Sequence, residues 1–214
     1  MVKQLAEEYI ARGDPLGWHE ELYRLAGGDP AVIPWADMKC NVNFLEWVQR
    51  CDLHSEGKTA LVIGCGLGDD AEALARLNFE VTAFDISPTA IEWCRKRFPD
   101  SKVRYLVADL FEPGELLQRK YDFILEVYTL QVLPPNLQQR AMSCIAHFLT
   151  DGGTLLVITR GRDDEELHGS GMHWRLSHGD LNGFVKSGLR EVSFEDYMDQ
   201  EDPPVRRFRV EYSR

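Results

Sequence analysis

The stretch Leu61-Val62-Ile63-Gly64-Cys65-Gly66-Leu67-Gly68-Asp69-Asp70 runs a β-rich segment straight into a glycine turn, then into a helical pattern with Ala71, Leu74 and Ala75 on one face. Glycines in such a turn let a ligand lie against backbone where a Cβ would block it, and they tolerate positive φ. Asp85 closes the next β-rich run, seventeen positions after Gly68, where a carboxylate can accept hydrogen bonds from both hydroxyls of a ribose. Asp109 follows the third run, placed to accept from an adenine amino group, and Glu126 follows the fourth. Singly, each acid reads as a helix cap or an exposed turn. Three acids at successive carboxyl ends of parallel strands line one crevice, which is where ligands of such sheets bind.

The elements that must position these residues are legible from Thr59 onward. Ala60–Ile63, Val81–Phe84, Val103–Val107, Phe123–Leu125 and Thr154–Thr159 are short β-rich runs alternating with helical patterns, which predicts a parallel sheet with helices on both faces. Ser87 is placed to cap a helix with Pro88 at its first position, and Ala90, Ile91, Cys94 and Phe98 recur at core-facing spacing until Pro99. A second helix begins near Pro135 with Leu137, Ala141, Cys144, Ile145 and Phe148 inward. The Gly152-Gly153 pair is expected to end it in a left-handed turn before the fifth strand. Val192–Tyr197 and Val205–Tyr212, with Pro203-Pro204 between them, predict an antiparallel pair at the sheet edge. Residues 1–55 differ in kind: helical spacing around Leu5, Tyr9 and Ile10 and around Leu22, Tyr23 and Leu25 is interrupted by Gly13, Pro15 and Gly27-Gly28. The expected fold is α/β, a doubly wound, seven-stranded, mostly parallel sheet with a C-terminal antiparallel pair. It forms one domain over 1–214, in which 1–55 is a helical lid and 56–214 the core.

Charge separates the possible cofactors. A dinucleotide sets its pyrophosphate at a helix N-terminus, where free N–H groups and the dipole favour an anion. Asp69 and Asp70 occupy that place and would repel it, whereas S-adenosylmethionine (SAM) carries a sulfonium and an ammonium that suit negative surroundings. The turn is also GxGxG rather than the dinucleotide GxGxxG. Gly64 to Gly68, Asp85-Ile86-Ser87, Ala108-Asp109 and Gly152-Gly153 resemble the motif series of class I, Rossmann-like SAM-dependent methyltransferases over residues 58–160. The resemblance implies that Gly64, Gly66 and Gly68 flank the methionine moiety, Asp85 holds the ribose, Ile86 packs on adenine, and Asp109 with Leu110 reads the adenine edge. Cys65 is then a small packing residue and not a nucleophile. Cys65, Asp69, Ser87, Ala108, Glu126 and Val127 complete the candidate cofactor contacts.

Tyr121-Asp122-Phe123-Ile124 leading to Leu130-Gln131-Val132-Leu133-Pro134-Pro135, with the upstream Ile33-Pro34-Trp35-Ala36-Asp37, is similar to thiopurine and halide methyltransferases. That resemblance implies a lid role over the cofactor for Trp35, although Glu126 stands where that group often has Asp. In-line transfer from an activated sulfonium asks mainly for positioning and desolvation, with a general base only if the nucleophile carries a proton. No catalytic residue is assigned on sequence. Trp35, Tyr128, Gln131, His173 and Trp174 are the candidate acceptor contacts, with Thr129 and His168 nearby. Packing aromatics and exposed histidines are the plain alternatives. Asp163-Asp164-Glu165-Glu166 predicts a mobile, solvated loop able to gate the site, since like charges at this density resist packing.

Lys and Arg total 24 against 35 Asp and Glu, and a net charge of −11 would repel nucleic-acid phosphates and acidic membranes. Arg95-Lys96-Arg97 and Arg206-Arg207 with Arg209 read as solvated faces, so neither nucleic acid nor membrane is expected as a partner. The 5 cysteines are widely spaced with no CxxC pair, arguing against disulfides and a zinc site and for a reducing compartment. The N-terminus lacks an apolar leader pattern, so a cytoplasmic protein is expected. Three readings stand at this level: SAM-dependent methylation of a small molecule, a NAD(P)-dependent oxidoreductase, and a non-catalytic SAM-binding module. Neither the acceptor atom nor the oligomeric state is legible.

Overall fold

The computed structural model describes residues 2–51, 53, 55–114, 120–168 and 173–214. Its strands are β1 (Thr59–Ile63), β2 (Glu80–Asp85), β3 (Arg104–Val107), β4 (Tyr121–Val127), β5 (Leu149–Arg160), β6 (Arg190–Met198) and β7 (Arg206–Ser213), in the order β3-β2-β1-β4-β5-β7-β6 of one seven-stranded sheet. β1 pairs with β2, β2 with β3 and β4 with β5 in parallel, while β7 runs antiparallel to both β5 and β6. This is the α/β, mostly parallel sheet with a C-terminal antiparallel pair that the alternating pattern predicts.

By packing, the chain divides into two compact units, Met1–Glu112 and Pro113–Arg214. The sequence reading draws its own line at 55/56, where the composition changes. In the first unit, α1 (Val2–Ala11), α2 (Gly17–Ala26) and α3 (Val42–Arg50) precede β1, and α4 (Asp69–Arg76) and α5 (Pro88–Arg97) connect the strands. Gly27 ends α2 in a left-handed conformation at φ 59°, and the Asn41 side chain caps α3 by accepting from the Asn43 and Phe44 N–H groups. Ser87 caps α5 by accepting from the Ala90 N–H, with Pro88 at the first helical position. α4 buries Ala71, Ala73 and Leu74; Ala73 takes the core place expected of Ala75.

In the second unit, α6 (Pro135–His147) and α7 (His178–Lys186) flank the strands. Two expectations about α6 need correction. Its C-cap is Phe148, with ordinary right-handed backbone, while the left-handed Gly152 lies inside β5. The strand starts early because Tyr121 already pairs with Leu149, with a register shift before Phe123 pairs with Thr154; Gly152 accommodates that irregularity. The inward residue near its start is Gln138, not Leu137: the buried amide donates to the carbonyls of Leu130, Leu133 and Trp174. A buried amide is tolerated there because every donor direction meets a carbonyl. Among the described residues, no helix is long and apolar enough to cross a membrane.

Candidate active site

In the first unit the glycine turn is left-handed three times, at Gly64 (φ 58°), Gly66 (φ 52°) and Gly68 (φ 90°). Asp85 holds it: one carboxylate oxygen accepts from the Gly66 N–H at 2.9 Å and the other from the Ser87 N–H at 2.9 Å. Each oxygen keeps acceptor capacity for a further donor. Burial pushes the Asp85 carboxyl up to about 6, with the Ser87 and Gly66 N–H groups pulling the other way. The Ala108 N–H donates to the Asp85 carbonyl, and Asp109 accepts from the Phe111 N–H at 2.8 Å, with Leu110 buried beside it. Ile86 is half-buried.

The helical segment before β1 reaches this turn. The Trp35 indole N–H donates to the Tyr23 hydroxyl at 2.7 Å, and a Cβ built on Gly66 would lie 3.4 Å from that hydroxyl and 4.0 Å from Trp35 Cδ1. Trp18 and Tyr23 meet Trp35 edge-on, with centroids 5.8 Å and 6.0 Å away. Glu20 fastens α2 to α5 by accepting from the Ser87 hydroxyl and from the Thr89 N–H and hydroxyl. Trp35 therefore lies close to the Gly66 turn.

In the second unit Glu126 is the last buried residue of β4 and is fully enclosed. Its Oε1 accepts from the N–H groups of Thr129 (2.7 Å) and Leu130 (2.8 Å), while Oε2 is buried without a partner. Burial pushes its carboxyl up to about 7 against those two bonds. Val127 and Tyr128 follow, half-buried, and Tyr128 holds φ at 62°, a strained value for an aromatic residue. The Gln131 side-chain oxygen accepts from the Arg160 N–H (2.7 Å) and the Thr159 hydroxyl (3.3 Å), and its backbone carbonyl accepts from the Trp174 N–H (2.6 Å). Burial, then Arg160 and Arg207, push His173 down to about 4, so its imidazole is neutral at physiological pH.

Comparison with known proteins decides the family. A family described as a methyltransferase domain matches residues 60–153. The malonyl-[acyl-carrier protein] O-methyltransferase of Anoxybacillus flavithermus is 31% identical over 160 residues, 72% of this chain and 60% of that protein. The probable thiol methyltransferase 2 of Arabidopsis thaliana is 33% identical over 105 residues, 46% of this chain and 45% of that protein. The solved structure of magnesium protoporphyrin IX methyltransferase from Synechocystis with bound SAM shares the fold at TM-score 0.63 and 17% identity, covering 80% of this chain and 76% of the other. Residues 60–153 are a methyltransferase domain, within a sheet that has the fold of class I SAM-dependent methyltransferases. The chain spans only about half to three-fifths of the length of these two curated relatives.

Several placements in this methyltransferase correct the sequence reading. Asp69 is not an open charge at the helix start, because Arg97 binds both its oxygens at 2.8 Å. Asp70 is held beside α3 by the Asn41 N–H at 2.7 Å, and burial pushes its carboxyl up. The repulsion of a pyrophosphate by two free carboxylates therefore falls away, and the turn spacing and family carry the choice of cofactor. Packing within the protein already requires a glycine at 68: a Cβ there would meet Tyr105 Oη at 2.6 Å and Cys94 Sγ at 3.1 Å. Cys65 keeps its packing role, since its bond with the Cys94 thiol and burial push its thiol well up and keep it protonated.

The basic clusters are structural. Arg95 donates to the Tyr105 carbonyl and Arg97 to that of Leu67; Arg207 and Arg209 are buried against Asp199 and Glu195. Lys96, paired with Glu92 on the surface, and the exposed Arg95 fit a solvated face. The acidic run is solvated, with residues 163–167 exposed, while its backbone is tied to Arg162. The buried Arg162 donates to the carbonyls of Asp163, Asp164 and Glu166 and to Asp180, and His168 lies against its guanidinium. Residues 169–172, the rest of that expected gate, lie outside the described residues. Among the described residues, no cluster of three or more His, Cys, Asp or Glu could hold a metal. Sequence reasoning missed Glu20, Tyr23 and Gln138; the only local signal was the helical spacing around Leu22 and Tyr23.

Proposed function

We propose that this methyltransferase moves the methyl group of SAM to a small-molecule nucleophile by in-line displacement, as one domain spanning both compact units. The observation that carries the reading is Asp85, a buried carboxylate stapled to Gly66 and Ser87 with acceptor capacity to spare, behind a turn on which Trp35 and Tyr23 rest. Asp85 takes the ribose hydroxyls, Gly64 and Gly66 face the methionine moiety, Ile86 packs on adenine, and Asp109 with Leu110 reads its edge. Trp35 closes over the donor. Tyr128, Gln131, His173 and Trp174 position the acceptor. When the nucleophile carries a proton, Glu126, with an unpartnered oxygen and a carboxyl value near 7, suits the role of recipient. Acceptors of a malonyl carrier protein and of a thiol are named among the relatives, which supports a donor half that is common and an acceptor half that varies. The 5 free cysteines suit a cytoplasmic setting.

Thermal unfolding with SAM, S-adenosylhomocysteine, NAD and NADP in parallel tests the donor. A ligand at a hundred times its dissociation constant stabilises by about 2.7 kcal/mol, a rise of several degrees for a chain of this size. The rise is expected with SAM and its demethylated product alone, followed by S-adenosylhomocysteine release in the presence of thiol, amine or carboxylic-acid acceptors. A rise with NAD or NADP alone would overturn the reading, and donor binding without turnover of any acceptor would leave a non-catalytic SAM binder.

A further inference from the structure

Two arginines face each other across the last strands of the second unit. Arg160 ends β5 and Arg207 is the second residue of β7, and they are direct partners in the antiparallel register, so their side chains leave the same face of the sheet. Like charges directly opposite destabilise a sheet unless anions compensate them. Direct ion pairing here is one-sided, with Glu201 and Asp199 acting on Arg160 only at longer range. Arg207 Nε binds Asp199 at 2.6 Å and its Nη2 binds Glu201, while its Cζ lies 4.5 Å from the centroid of the Tyr128 ring. Its Nη1 is buried with no partner, in a side chain 2% exposed. Arg160 Nε is also buried with no partner, and no salt bridge holds that guanidinium among the described residues. His173 beside them is neutral and adds no competing charge. A buried guanidinium N–H left unmet is costly, and a fold that matches Arg162 with five oxygen acceptors does not lack the means to satisfy one.

We propose that Arg160 and Arg207 receive an anionic oxygen group, a carboxylate or a phosphate, carried by the methyl acceptor. Guanidinium forks match such oxygens with parallel, charge-assisted bonds. Tyr128, held at positive φ, lies against Arg207. Only the word acceptor rests on the methyl-transfer reading above; the anion site rests on the arginine pair.

The test uses spectra that resolve the arginine Nε–H groups of the full chain, titrated with sodium benzoate and separately with inorganic phosphate, without and with saturating S-adenosylhomocysteine. The Arg160 resonance, assigned by its loss in Arg160→Gln, is expected to shift saturably with at least one of the anions under both conditions, and the better ligand identifies the group. Arg160→Gln is expected to weaken that anion by about tenfold or more, the scale of one charged hydrogen bond, with S-adenosylhomocysteine affinity unchanged within about twofold. A non-saturating response, or equal anion affinity in the variant, would overturn the site. Loss of the response under S-adenosylhomocysteine would give the arginines to the donor's own carboxylate and overturn the acceptor assignment. Failure of the wild-type chain to bind S-adenosylhomocysteine would sink the donor reading alone, leaving the anion site to its own titration.

Discussion

Glu126→Gln is the substitution in which stability and chemistry should part. The carboxyl sits fully buried with one oxygen bonded to the Thr129 and Leu130 N–H groups and the other unmet, and its value rises from 4.5 to about 7. Because the folded state holds this proton more tightly than the unfolded chain, it binds more protons between those two values. Stability from this group is therefore full below pH 4.5 and falls as pH rises to about 7, after which it is level. At about 1.4 kcal/mol per pH unit, the ionised Glu126 costs the protein about 3 kcal/mol at pH 8. Glutamine keeps an oxygen for the two N–H groups and has no proton to lose, so its own offset is independent of pH. Urea unfolding of both proteins from pH 4.5 to 8.5 should show Glu126→Gln gaining about 3 kcal/mol on the wild type across that range, or roughly 6 to 12 °C in melting temperature. Asp85 titrates in the same window but is present in both proteins and cancels in the difference. The variant should also lose roughly a hundredfold in turnover with proton-bearing nucleophiles. Parallel stability curves would refute the buried, proton-holding carboxyl.

Asp85 yields a prediction about binding. Its carboxyl lies at about 6 in the free protein, so below that pH it becomes a donor where the ribose needs an acceptor. Calorimetric titration should find S-adenosylhomocysteine affinity level above pH 7 and falling towards tenfold per pH unit below 6, a dependence that Asp85→Asn abolishes; affinity unchanged at pH 5 would count against the ribose role. Gly66→Ala and Gly68→Ala should separate fold from function. The Gly68 substitution drives a Cβ to 2.6 Å from Tyr105 Oη at φ 90°, and a loss of about 3 kcal/mol in urea unfolding is expected. At Gly66 the nearest atom is 3.4 Å away and φ is 52°, so about 1 kcal/mol is lost, with most of the damage falling on donor affinity. Equal stability losses would mean that the two glycines serve the same purpose.

What could be read from sequence was what the chain specifies locally. Alternating β-rich and helical runs, the Ser87 cap with Pro88, the left-handed glycines and the position of Asp85 depend on neighbours a few residues away, and the structure has them all. The misreadings share a cause. Arg97 finds Asp69 28 positions away and Glu20 finds Thr89 69 positions away. Arg207 and Arg209 looked like surface because arginine is mostly exposed, yet β7 lies between two strands and buries both. The run of four acids is exposed as its charge suggests, but the guanidinium of Arg162, which gathers the carbonyls of that run, is a partner that repulsion alone does not reveal. Gly152 looked like a helix cap because a left-handed glycine before a strand usually is one. The early pairing of Tyr121 with Leu149 is a tertiary matter that no local pattern reveals.

The same contrast marks where function resides. Most buried charge in this protein is met: Arg162 by carbonyls and Asp180, Asp69 by Arg97, Arg209 by Glu195. Evolution therefore had the means to pair a buried charge, and the exceptions carry information. Glu126 Oε2, Arg160 Nε and Arg207 Nη1 are unmet, and all three come from the parallel pair β4 and β5 or from the strand beside it. An acid that wants a proton and two cations that want an anion are opposite demands. Leaving such groups unmet costs stability that a purely structural domain would recover by substitution. Among the described residues Trp18 Nε1 and Tyr121 Oη are unmet as well, but neither carries a charge, so the three charged atoms are the ones that a proton-bearing, anionic ligand would satisfy.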